Sequence, residues 1–327
     1  MMKLRNLLKA SATAAMVFAA GAYSTGQASA DDFPTKPITM IIPFGAGGSH
    51  DVNARMFTTM ISNYLGQPMI VKLIPGAGGQ KGTSEVVKAK PDGYTMIFTH
   101  NYIDQMQPLT ETLPYDTNKE LVAVYQVNDS APYIWVPSDK PWKTLKEMLD
   151  WGRENPGKLR FASSGKWGSS FTPAAMMLLQ AGVDAKFIPN KGGGAAKRAV
   201  LAGDADFAFG RDSTILSEVK AGTARVLAVA GTERSEHLPD IPTFTELGFD
   251  GKNAVMTRVV LASRAVPEER LKKVRDAFEQ LQGDKTYQKL MSQIGENTKA
   301  IPGPEYEKIR LEQRKAYEEL VKKMTGQ

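Results

Sequence analysis

The stretch 38–55, ITMIIPFGAGGSHDVNAR, constrains the fold more than any other part of this chain. Ile38, Met40, Ile41 and Ile42 form a short apolar run that stops at Pro43, as a buried parallel strand does. Gly45, Gly47 and Gly48 follow, then Ser49, His50 and Asp51, after which Val52, Met56, Met60, Ile61 and Tyr64 recur at helical spacing. The order is strand, glycine turn, helix. Ser49 and Asp51 suit a helix start because their oxygens accept from otherwise unpaired N–H groups. Bare turn amides beside a positive helix end make a place for an anion, unless the turn serves only as a connector. The nucleotide versions do not fit. His50 stands where a dinucleotide fingerprint needs its third glycine, and GxxxxGK[ST] is absent. A second turn, PGAGG at 75–79, follows another strand-like run at 69–74 and repeats the device.

The first thirty residues read as a removable export signal. Lys3, Arg5 and Lys9 form a basic start, residues 10–22 a small apolar core, and Ala28-Ser29-Ala30 a cleavage site, with removal expected after Ala30. The apolar run is short and interrupted for a membrane anchor. With no cysteine, a lipid-anchored start and disulfides are excluded, and a soluble protein of a bacterial periplasm is expected. The net charge of +6 includes the three basic residues of the signal, leaving +3 (6 − 3). No basic stripe interleaved with aromatics occurs, which argues against nucleic acid.

Beyond residue 33 the chain alternates strands and helices. Helix is expected at 83–89, strand at 94–99, strand at 121–127 running on to 133–136, and helix at 142–154 from a start near Thr144. A strand at 159–162 opens onto the turn SSGKWGSS at 163–170, and a helix follows at 172–181. Strand 186–189, turn 192–194 and helix 195–202 come next, then strand 206–210, helix 214–221 and strand 225–230. A strand at 255–263 and charged helices at 267–282, 285–294 and 305–323 close the chain, the last packing on the domain surface. Such alternation predicts an α/β fold with parallel sheets, whose ligands collect at the carboxyl ends of the strands.

A secreted hydrolase is the enzymatic alternative. Ser163, Ser164, Ser169 and Ser170 supply hydroxyls and His50 or His100 a base, but the Gly-x-Ser-x-Gly elbow is missing. His50, His100 and Asp206 come from separate turns without ligand-type spacing, so no metal is expected. Asp204 reads as a turn residue and Asp206 as a strand-start residue near the cleft. Trp142 and Trp151 read as packing residues, Trp167 as a wall of a ligand site, and His237 as a surface residue.

The succession PFGAGGSHDVNAR, LGQPMIVKLIPGAGGQKGTSEV, KPDGYTMIF, FASSGKWGSS, PNKGGGAAKRAVLAGDADFAF and VKAGTARVLAVAGTERSEHLPDIPTFTELGF resembles the periplasmic solute-binding receptors of tripartite tricarboxylate transporters, the TctC or Bug family. The likeness runs over essentially the whole chain after the signal. It implies a two-lobed Venus-flytrap fold, each lobe a mostly parallel sheet flanked by helices, with two hinge crossovers near 128–132 and 253–257. One lobe would hold 31–130 and 255–327, the other 131–254. It further implies no catalysis and no cofactor, a small carboxylate ligand, and TctA/TctB-like membrane subunits as partners of a monomeric receptor. A sensor kinase is the alternative partner. By position the ligand would be held by Phe44, Ala46, Gly47, Gly48, Ser49, Asp51, Gly78 and Gly79, facing Ser163, Ser164, Trp167, Ser169, Ser170 and Asp206. The chain departs from the family at His50, at His100-Asn101-Tyr102 and at Arg211, which points to a changed specificity. Arg258 and Arg211 are the cations available to a second carboxylate, with Arg258 the favoured one.

Overall fold

The computed structural model describes residues 32–163, 165–166, 170–251 and 253–325. The expected signal at 1–30 lies outside them, as do Ser164, Trp167 and Ser169. The apolar run is β1 (Ile38–Ile42), and the helix after the glycine turn is α1 (Ser49–Met60). They are followed by β2 (Met69–Leu73), α2 (Gln80–Lys88), β3 (Thr95–His100), β4 (Leu121–Ser130) and β5 (Tyr133–Pro137). The middle of the chain gives α3 (Leu145–Glu154), β6 (Leu159–Ser163), α4 (Phe171–Ala181), β7 (Ala185–Pro189), α5 (Gly193–Leu201), β8 (Phe207–Gly210), α6 (Asp212–Lys220) and β9 (Ala224–Val229). It closes with β10 (Met256–Ser263), α7 (Glu268–Gly283), α8 (Lys285–Gln293), β11 (Ile301–Pro302) and α9 (Gly303–Thr325).

The boundaries have local causes. The Thr144 hydroxyl accepts from the Glu147 amide at 3.2 Å and starts α3. Asp284 does the same for α8, accepting from Thr286 and Tyr287. Gly182, at φ 65°, ends α4 in the left-handed conformation that glycine adopts without strain.

Two mixed sheets result, ordered β11-β4-β10-β3-β1-β2 and β7-β6-β8-β5-β9. Within the first, β1 pairs in parallel with β2 and β3, whereas β10 runs against β3 and β4. In the second, β6 is parallel to β7 and β8, while β5 runs against β8 and β9. The antiparallel members carry the chain between sheets, a feature that strand–helix alternation does not encode. The chain leaves the first sheet after Ser130, enters the second at Tyr133, and returns between Val229 and Met256.

Each sheet is covered on its faces. Phe161, Phe207, Phe209 and Phe244 form one core layer of the second sheet with Trp142, Leu145 and Met148, so Trp142 is a packing residue. Tyr133, Trp135, Ala208 and Val200 form the opposite layer. Ile41, Ile97, Val259, Leu261 and Tyr306 fill the first sheet. Fully burying one such side chain contributes about 1.5–3 kcal/mol, so stability resides in these layers and not in the turns.

Two segments differ from expectation. Residues Tyr102–Met106 form a wide π-helical turn, all five buried. The last helix is not a surface addition: Tyr306, Arg310 and Tyr317 are buried, and Arg310 donates to both carboxylate oxygens of Asp104 at 2.5 and 2.7 Å. That tail clamps the turn after β3.

Candidate functional site

The parallel strands of the two sheets end towards each other. β1, β2 and β3 finish at Ile42, Leu73 and His100, and β6, β7 and β8 at Ser163, Pro189 and Gly210. The turns that follow are in contact. The Gly45 amide donates to the Lys191 carbonyl at 3.0 Å. A Cβ on Gly45 would lie 2.6 Å from that oxygen, one on Gly78 2.8 Å from the Lys166 carbonyl, and one on Gly194 3.1 Å from the Ala46 carbonyl. Glycine is thus required where backbone meets backbone across the cleft. Gly47 and Gly48 have more room, since a Cβ at Gly47 meets nothing within 4 Å and one at Gly48 only ordinary contact at 3.4 Å, but Gly47 holds φ 76°, a conformation that strains any side chain. Gly45→Val should therefore hold the cleft open while leaving both sheets intact. Small-angle scattering should show a larger radius of gyration than the parent chain, and an unchanged radius with an unchanged melting curve would refute the steric argument.

The closed cleft keeps a cavity of about 20 Å³ lined by Ser49, Ser170, Gly193, Lys197, Arg211 and Thr214. That is room for one water. Ser49 opens α1, Ser170 caps α4, Gly193 opens α5 and Arg211 caps α6, so four helix amino termini converge on one point. Their partial positive charges favour an anion there. A cavity of about 560 Å³ lies elsewhere, beside the sheet crossovers, lined by residues such as Asp129, Glu233, Asn297 and Lys299. It has none of the glycine turns.

In the first turn the Gly47 amide donates to Asp51 Oδ2 at 2.9 Å, and Asp51 also pairs with Arg55. The anion held by this amide is the chain's own carboxylate. This corrects the reading of Gly47 and Asp51 as direct ligand contacts in this conformation, because Asp51 braces the turn. Ala46 is exposed at the turn's tip, and Ser49 is buried. Gly78 and Gly79 take φ values of 59° and 100° in the second turn.

Behind Ser49 lies an aromatic nest. His50 and His100 are buried, with ring centroids 5.1 Å apart, and Phe44 stacks on His100 at 5.4 Å and 10°. Burial pushes the His50 pKa well below its usual value, the nearby His100, Arg258 and Arg211 push the same way, and a hydrogen bond with the Thr99 backbone opposes them. Burial likewise lowers His100, with Arg211 and Arg258 adding to it. Both imidazoles are neutral at pH 7.

On the facing side, Ser170 donates to Ser163 Oγ at 3.1 Å, and Ser163 donates to the Gly165 carbonyl at 3.1 Å. Among the described residues neither ring nitrogen of His100 has a hydrogen-bond partner, nor does His50 Nε2. The serine–imidazole contact that nucleophilic catalysis needs is therefore not made by these atoms. Arg211 is buried; its contacts include the Gly210 carbonyl at 3.3 Å and, from the first sheet, Met256 Sδ at 3.3 Å.

Two expected contacts move elsewhere. Asp206 precedes β8, at the amino end of the strand, where Arg160 and Lys140 bind it at 2.9 and 2.7 Å. Five residue steps along β8 take the chain from Asp206 to Arg211, roughly 16 Å at 3.3 Å per residue, so Asp206 does not face the cleft or the histidines. Asp204 is an exposed turn residue. Arg258 is wholly buried, and its two terminal nitrogens reach both oxygens of Glu296 at 2.8 and 2.9 Å. That pairing, together with a 3.0 Å bond to Asn128, engages both terminal nitrogens of Arg258 within the fold. Lys197, Trp135 and Thr214 line the small cavity and were not expected there. The signal for Lys197 was its place four residues into the helix after the GGG turn. His237 is exposed, as its turn context implied.

The family model for the tripartite tricarboxylate transporter family receptor, TctC, matches residues 53–325. The chain belongs to this receptor family. Protein BugT of Bordetella pertussis is 32% identical over 236 residues, 71% of this chain and 72% of BugT. A solved periplasmic transporter protein is 32% identical with a TM-score of 0.84, covering 89% of this chain and 98% of its own. The periplasmic binding protein BugD is 26% identical, also at 0.84, covering 90% of this chain and 99% of BugD. MatC of Rhodopseudomonas palustris, solved with bound malate, is 25% identical with a TM-score of 0.82, over 88% of this chain and 100% of MatC. The receptor thus shares the two-lobed α/β architecture of periplasmic binding proteins, in a family of receptors, not of enzymes. No helix among its described residues is long and apolar enough to cross a membrane.

Proposed function

We propose that this receptor works in the periplasm, after removal of residues 1–30, and captures a small organic dianion between its lobes for delivery to tripartite-type membrane subunits. One lobe comprises 31–130 and 255–327 and the other 131–254, with the sheet crossovers as hinges. Neither a cofactor nor catalysis is part of this reading. The observation that carries it is the convergence of four helix amino termini, from both sheets, on one cavity beside Arg211. Helix ends and hydroxyls hold one carboxylate without a cationic side chain, since hydrogen bonds to a charged acceptor are strong. A second carboxylate in a dry cleft needs a cation, and Arg211 is in place for it. MatC's malate supports a dicarboxylate as the ligand class.

A thermal-shift screen of malate, succinate, adipate and a monocarboxylate control tests this. A ligand at ~100 times its Kd should stabilise the receptor by about 2.7 kcal/mol. Arg211→Met should then cost the dicarboxylate roughly 2–5 kcal/mol of affinity. No shift with any dicarboxylate would sink the reading, and an unaltered affinity in Arg211→Met would sink the role of Arg211.

A further inference from the structure

We propose that His50 and His100 together form a proton-linked ligand contact, such that an anion entering the cleft is met by an imidazolium created by proton uptake on binding. This rests on the receptor reading above and adds a pH dependence through the pair that lies behind Ser49 of the small cavity.

The geometry begins with three unmet hydrogen-bonding atoms in one place. His50 Nε2 and both nitrogens of His100 lack partners among the described residues, in side chains that are 3% and 0% exposed. A buried polar atom left unpaired is costly, so three together mark a position that something polar completes. The rings are fixed by packing: Phe44 and Phe98 lie 4.6 and 5.5 Å from His50, and Tyr102 lies 5.6 Å edge-on to His100.

The charged and titratable groups around them come from every adjoining element. On α1, Asp51 is turned to Gly47 and Arg55. On β10, Arg258 is the register partner of His100 and is held by Glu296, which follows α8. Arg211 comes from the start of α6. From the turn after β3 come Tyr102 and Asp104, the latter bound to Arg310 of α9, which also supplies Tyr317. The carboxylates are thus all engaged by arginines of their own, and both imidazoles feel the positive charge of Arg211 and Arg258. The empty pair is neutral chiefly because it is buried, and those two charges add to the effect. A carboxylate placed beside it supplies the missing opposite charge, which favours the protonated form. The proton comes from solvent and goes to a ring nitrogen that then donates to the ligand.

Isothermal titration of the full exported chain with malate, succinate and adipate, near pH 6.5 in phosphate and in Tris, reads the proton directly. The dependence of apparent enthalpy on buffer ionisation enthalpy should give on the order of one proton taken up per ligand, with affinity rising about tenfold per unit fall in pH. His50→Gln/His100→Gln keeps polar side chains that cannot titrate and should abolish the buffer dependence. Nitrogen-15 spectra should show the resonances of both buried histidines moving to the protonated position with ligand, beside exposed His237 as reference. Binding without proton uptake overturns this inference and leaves the receptor function standing, as does uptake that persists in the double variant. Failure of every dicarboxylate to bind overturns both.

Discussion

Replacing Glu296 with glutamine is expected to destabilise the folded chain by about 3–5 kcal/mol, among the largest losses available to one substitution here. Its carboxylate is the centre of a buried network. Arg258 reaches it with two nitrogens, Asn53 Nδ2 donates to it at 3.2 Å, and Ser213 Oγ donates at 2.5 Å. Asn128 joins Arg258 to Asn53 with bonds of 3.0 Å each. The two charged side chains are 0% and 1% exposed, so neutralising the acid leaves a guanidinium buried without its counter-ion. Removing both charges together is a different case: Arg258→Met/Glu296→Leu deletes the pair and should recover most of the loss. Equilibrium urea unfolding measures each step. The exposed Lys272–Asp276 pair is the control, since breaking it should cost no more than about 1 kcal/mol. A loss near that control value for Glu296→Gln would mean that water reaches the network. The same experiment has a functional side. Ser213 belongs to α6 and Glu296 to the segment after α8, so this one bond joins the two sheets. Ser213→Ala should ease opening with little effect on global stability.

The parts of the fold that were legible in the sequence are those written locally. The glycine turn at 45–48 announces itself by its apolar strand before and its helical spacing after, and Thr144 is a start signal that works within three residues. Chain direction within the sheets was not legible, because alternation of strands and helices signals crossovers but not the reversed strands that change sheets. Asp206 shows a subtler gap. Its place before an incoming strand put it at the amino end, away from where ligands collect, yet only its bonds to Arg160 and Lys140 make that evident. Arg258 was readable as a cation near the crossover, but not as one spoken for, since Glu296 lies 38 residues further on. His50 and His100 stood out one at a time as departures from the family pattern. Their meeting depends on β1 and β3 lying side by side in parallel, which brings the turn after one next to the end of the other. Ser49, Ser170 and Arg211 were thus readable one by one as residues of the small cavity, whereas the bonds that Asp51, Asp206 and Arg258 make within the fold were not.

The second large effect is on acid stability, and it follows from the same histidines without any ligand. Both pKa values are lowered in the folded chain, chiefly by burial, from an unfolded value of 6.5. Below pH 6.5 the unfolded chain takes up protons that the folded chain refuses, so stability falls as pH drops from 6.5 towards the folded pKa values. Within that window each histidine removes about 1.4 kcal/mol per pH unit, or roughly 2.7 kcal/mol per unit for the pair. Asp206, with the bonds of Arg160 and Lys140 outweighing its burial, and Glu307, with Arg310 and Arg264 outweighing its own, are both held below their usual range. They also lose stability on acidification, but only below the ordinary carboxylate range, so the windows separate. Urea midpoints measured at intervals from pH 7.5 to pH 5 should show a steep fall that begins near 6.5. In His50→Gln/His100→Gln the fall should start only where the carboxylates titrate. A flat profile in the parent chain down to pH 5 would mean that the imidazoles protonate within the fold, through local opening of the cleft. Saturating dicarboxylate should reduce the slope, because a liganded pair that has accepted a proton no longer differs from the unfolded chain by two.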